Sequence, residues 1–124
     1  MIHTIRIPQE RLAWFVAALD RELGGHAVRV EVFGRSLGDQ EMASLLPFHG
    51  LDLDSKRSDA PSLTITVGGA AGELVHRIPM PQQIYIGIND VGALEWLAID
   101  EPSEVKTLLH FEHPLELEAH YAEP

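Results

Sequence analysis

SLTITVGGAAGELVHRIPMPQQIYIGINDVGALEWLAIDEPSEVKTLLHF, residues Ser62 to Phe111, is a series of short alternating apolar and polar runs separated by turn formers. Successive side chains on a strand point to opposite faces, so a period of two marks a strand with one face buried. In Ser62 to Val67, Leu63, Ile65 and Val67 share one face, and Thr64 and Thr66 share the other. Gly68, Gly69 and Gly72 then give the chain the freedom to turn. Glu73 to Pro79 points Leu74, His76 and Ile78 inward and stops at Pro79 and Pro81, whose ring nitrogens cannot donate to a ladder. Gln83 to Ile88 sets Ile84, Ile86 and Ile88 against Tyr85 and Gly87. Asn89, Asp90 and Gly92 join it to Leu94 to Ile99 as a hairpin. That next run is apolar on both faces, Trp96 and Ala98 against Leu97 and Ile99, which predicts a central strand with a layer on each side. Beyond Pro102, Val105 to Phe111 carries Val105, Thr107, Leu109 and Phe111 on one face and Leu108 on the other.

Upstream, the chain supplies what covers and extends this sheet. Ile2 to Ile7 is a candidate short first strand. Pro8 suits a first helical turn, Glu10 complements the helix dipole, and Gly24-Gly25 stops a helix that runs to about Leu23. Leu12, Phe15, Val16, Leu19 and Leu23 form one stripe of it, whose burial contributes about 8 to 15 kcal/mol before conformational entropy is counted. Val28 to Phe33 alternates again and closes at Gly34. Gln40 to Asp54 is extended, but its alternation changes phase between Leu46 and Leu51, which predicts a bulge or bend. Ser55 to Pro61 is the most polar loop. The expectation is an α+β fold: one N-terminal amphipathic helix on a curved antiparallel sheet of six or seven strands, with a partly closed barrel as one form it could take.

The chain is 124 residues long, enough for one domain with a sizeable core, expected over residues 1 to 113 with a C-terminal arm over 114 to 124. The arm reads equally as strand or short helix. There is no cysteine, which excludes disulfides, thiolate metal sites and thiol nucleophiles. No apolar run reaches the roughly 18 residues a membrane span needs, and a cytoplasmic bacterial or archaeal protein is expected. The formal net charge of −10 argues against nucleic acid and anionic membranes as partners. From Asp90 onward, nine acids (Asp90, Glu95, Asp100, Glu101, Glu104, Glu112, Glu116, Glu118 and Glu123) face Lys106 alone.

Candidate chemistry is sparse. His110 and His113 have the spacing of a metal pair on a helix, but on a strand they point to opposite faces, and no metal site is assigned. Asp52 and Asp54 share a strand face and could bind a divalent ion or act as acid and base; a solvated strand end is the simpler reading. His76, flanked by Leu74 and Ile78, is either a hydrogen-bonded core imidazole or a catalytic base. His49 joins these three as a polar-site candidate for a small metal-dependent or hydrolase-like enzyme, or for a small-molecule binder. None of the six serines sits in a nucleophile-elbow pattern, and Gly68 to Gly72 lacks the Lys-Ser or Lys-Thr of a phosphate loop. No cofactor is expected.

Trp14 lies about 160 to 180° round the helical wheel from the apolar stripe. Ala17 and Ala18 flank it at i+3 and i+4, and Arg11 and Arg21 can form a charged rim. A large aromatic framed by small residues and arginines has the composition of an interface centre. Two readings stay open: a two-fold homodimer through this face, or a singly exposed Trp, alone or covered by the C-terminal tail.

Leu37-Gly38, Leu46-Pro47-Phe48-His49-Gly50-Leu51 closing on Asp54, Ile7-Pro8-Gln9-Glu10 and Thr107-Leu108-Leu109-His110-Phe111 together resemble a small bacterial family catalogued only as a domain of unknown function. The resemblance covers about residues 5 to 111 and implies an uncharacterised β-rich single domain with no activity attached. Leu12 stands where that pattern has Trp, and His110 where it has Arg. The favoured function is a non-enzymatic protein-interaction or self-association module.

Overall fold

The computed structural model describes residues 1–34, 38–56, 60–70 and 72–116. The strands are β1 (His3–Ile7), β2 (Ala27–Gly34), β3 (Gly38–Asp54), β4 (Ser62–Gly69), β5 (Gly72–Pro79), β6 (Gln83–Ile88), β7 (Ala93–Asp100) and β8 (Lys106–Glu116), with one α-helix, α1 (Leu12–Leu23), between β1 and β2. They form one antiparallel sheet of eight strands in the order β1-β6-β7-β8-β2-β3-β4-β5. The count exceeds the expected six or seven because the short first stretch does pair, Ile5 opposite Ile86 and Ile7 opposite Ile84.

The helix begins with a 3-10 turn at Gln9–Arg11, after Pro8 in extended conformation, and ends at Gly24. Gly25 follows with φ of 82°, the left-handed conformation that terminates a helix without steric cost when no Cβ is present. All five stripe residues are buried. They join Ile7 of β1, Phe48 and Leu51 of β3, Ile78 of β5 and Leu109 of β8 in a single core.

β3 organises the curvature. Its first part pairs with β2 as far as Pro47 opposite Ala27, and its second part, from Phe48, pairs with β4. Between Phe48 and Gly50 the register slips by one, as the phase change between Leu46 and Leu51 predicts, and His49 is the extra residue of the bulge. An earlier irregularity lies between Ala43 and Leu46, where Leu45 adopts φ of 53°. Bulges bend a strand and increase its twist, so the β4-β5 end swings back over the sheet. The inward side chain of His76 on β5 consequently reaches Thr107 on β8.

The sheet nonetheless stays open, with β1 and β5 as its edges, which corrects the partly closed barrel. Pro8 ends β1 and Pro79 ends β5, and the buried stripe of α1 packs into the core that the curved sheet encloses. The layer expected on the second face of β7 is also absent as an element among the described residues. Trp96 lies there over Gly87, so close that a Cβ on that glycine would sit 2.2 Å from the indole. Tyr85, Trp96 and Lys106 line this face around Ala98, which is buried.

Of the expected arm, Pro114, Leu115 and Glu116 continue β8, and Leu115 is buried opposite Leu94. The rest of the arm, and residues 57–59 of the polar loop, lie outside the described residues.

Candidate functional site

On α1, Trp14 keeps 39% of its surface exposed. The Arg11 guanidinium carbon stands 4.8 Å from the centre of its ring, a cation–π stack. Ala13, Ala17 and Arg21 are exposed beside it. Ala18 is fully buried, which removes it from the expected face. It lies about 115° round the wheel from the core stripe, and the helix is sunk deeply enough to cover a methyl group at that flank. The larger Trp14 projects past this boundary.

The four polar candidates divide between the two faces of the β3-β4-β5 region. His76 points inward; its Nε2 is 3.1 Å from Thr107 Oγ1. Burial pushes the imidazole below its ordinary pKa, with the Glu101 carboxylate opposing the shift, so the ring is held towards its neutral form. It supplies a polar partner for Thr107, whose side chain is buried.

His49 points outward. The bulge aims its ring across Gly68, where an added Cβ would come within 2.0 Å of Cε1, and Nδ1 meets Glu73 Oε2 at 2.9 Å. Asp52 and Asp54 are exposed at the end of the same strand. Asp54 accepts a hydrogen bond from the Lys56 backbone N–H at 3.1 Å, a local turn of the kind aspartate commonly stabilises. His76 is therefore separated by the sheet from the other three, and the geometry does not assemble them around one reacting atom. His110 and His113 do not converge either: His110 Nε2 lies 2.9 Å from Glu31 Oε1, while His113 is exposed. Among the described residues, no group of three or more histidine, aspartate or glutamate side chains could hold a metal ion.

Sequence reasoning missed two features. One is a shallow concavity of about 280 Å³ on the outer face of the sheet, lined by Thr4, Tyr85, Trp96, Ala98, Asp100 and Lys106. The apolar second face of β7 was its signal. The other is Asp20 on α1, whose Oδ1 accepts the Leu51 N–H at 2.8 Å beside the β3 bulge. A backbone donor left over by the change of strand partners is satisfied by the helix, and no local pattern announces that.

These features define an α+β module with an open sheet and an exposed aromatic helix face, without a convergent polar centre among the described residues. The chain belongs to a family of unknown function (DUF5335), whose model matches residues 3–120. No curated protein and no solved structure matches it. No helix among the described residues is long and apolar enough to cross a membrane.

Proposed function

We propose that this chain is a non-enzymatic protein-interaction module that self-associates through the outer face of α1. The observation that carries the reading is Trp14, the largest side chain of the helix, left 39% exposed and stacked under Arg11 rather than buried in the core. In an antiparallel two-fold pairing centred on Ala17, the small Ala17 side chains of two copies allow close approach. Trp14 of each copy then reaches Arg21 of the other, so each ring gains a second cationic neighbour. A contact built on one helix face is small and falls in the size class of weak, transient associations.

Sedimentation velocity of the Trp14→Ala variant tests this. The variant should shift toward monomer by the equivalent of about 2 kcal/mol, or roughly 30-fold in Kd, with unchanged circular dichroism. A variant that associates as the wild type does would refute the helix-face dimer.

A further inference from the structure

We infer that the free edge of β5 is a second self-association surface, at which two copies pair antiparallel with Val75 opposite Val75. This goes beyond the helix-face reading and rests on separate observations.

The first observation is the phase of the backbone. Met80 donates its N–H to Pro61 at 2.8 Å, and from there β5 runs against β4 without a register shift, Ile78 opposite Leu63, His76 opposite Ile65 and Leu74 opposite Val67. In an antiparallel pair, bonding toward one neighbour alternates along the strand. The N–H and C=O groups of Ile78, His76 and Leu74 therefore point to β4, and those of Glu73, Val75 and Arg77 point to the free edge. No strand pairs with that edge among the described residues.

The second observation is how little protects this edge. Natural sheets blunt their edges with short strands, bulges, prolines and lysines. The other edge follows that rule, since β1 is only five residues long and stops at Pro8. β5 is eight residues long, carries no bulge against β4, has no lysine, and has proline only at its end. Its most exposed apolar side chain, Val75, is 58% exposed at the middle.

The third observation is self-complementarity. With Val75 opposite its own copy, Glu73 of each chain falls opposite Arg77 of the other. Opposite charges meet on the outer face at both ends of the contact, where Arg77 of the other chain joins His49 of the same chain (2.9 Å) around each Glu73 carboxylate, with the two Val75 side chains in contact between them. The same register sets Leu74 opposite His76 on the inner face. All three residues whose backbone groups are free (Glu73, Val75 and Arg77) are then used, each pair exchanging both of its hydrogen bonds. A shift of two residues in either direction would break the charge match, so the register is specified by side chains as well as by backbone.

The chain has no cysteine, so single-cysteine variants report this contact cleanly. Val75→Cys should give about tenfold more covalent dimer on mild oxidation than Val91→Cys, an exposed site in the β6-β7 turn, because pairing holds the two thiols within disulfide reach. Glu73→Cys alone and Arg77→Cys alone should cross-link poorly, since self-partners would be about 13 Å apart along the strand. An equimolar mixture of the two should form the mixed dimer. The same pattern should persist when Trp14→Ala is added, which separates this surface from the helix face. Val75→Cys dimer no greater than the Val91→Cys background, or Glu73→Cys cross-linking alone as well as in the mixture, would overturn the inference whatever Trp14→Ala does to sedimentation.

Discussion

At the scale of single residues, His76 shows how partial burial acts on a titratable side chain. Its imidazole is pinned between β5 and Thr107, and burial lowers its pKa below the ordinary value of about 6.5. The unfolded chain therefore takes up a proton first as the medium is acidified. The stability tied to the neutral ring is present in full above about pH 6.5 and is lost as the pH falls from there toward the folded-state pKa. Replacing His76 by Gln keeps a side chain able to donate to or accept from Thr107 Oγ1 and removes the titration. Thermal unfolding compared between pH 7.5 and 5.5 should show a smaller loss of Tm for His76→Gln than for the wild type. Equal losses would mean that His76 does not titrate against a buried environment. The inward direction of His76 was legible from Leu74 and Ile78 on either side of it. Its partner was not, because Thr107 is reached only when the sheet folds back, and that depends on bulges 30 to 60 residues away along the chain.

At the scale of elements, alternation located nearly every strand, and the apolar stripe located the buried side of the helix, because both periods are imposed by local backbone geometry. What escaped was anything set by two elements meeting: the burial of Ala18 at the helix flank, the Asp20 bond to Leu51, and the filling of one strand's gap by another strand's ring. Gly87 and Trp96 illustrate the last. Gly87 looks like a weak point in β6, yet it pairs with Trp96 and leaves the space in which the indole lies. Gly87→Ala should cost about 2 kcal/mol, in the range of other overpacked sites, and should shift the Trp96 emission as the ring is displaced. Gly68→Ala is the control. The crowding atom there belongs to the partly exposed His49 ring, which can swing outward at the loss of its contact with Glu73, and the cost should stay under about 1 kcal/mol. Unfolding by urea distinguishes the two, and equal costs would show that the indole is not held over the glycine.

At the scale of the whole molecule, a formal charge of −10 on 13.7 kDa opposes association by self-repulsion and suits contacts that carry their own cations. Both proposed surfaces do so: Arg11 and Arg21 around Trp14 on the helix, and Arg77 opposite Glu73 on the edge strand. Each surface is isologous, so each alone gives a two-fold dimer, while the two together extend assembly beyond the dimer. Loss of Trp14 or disruption of the β5 edge should then stop growth at the dimer, and loss of both should leave the monomer. Sedimentation equilibrium of the unmodified chain, from low to high micromolar at near-physiological salt, tests the proposed self-association. Self-association requires a weight-average mass that rises with concentration from 13.7 kDa to the dimer and above, and a constant 13.7 kDa over the whole range would refute it.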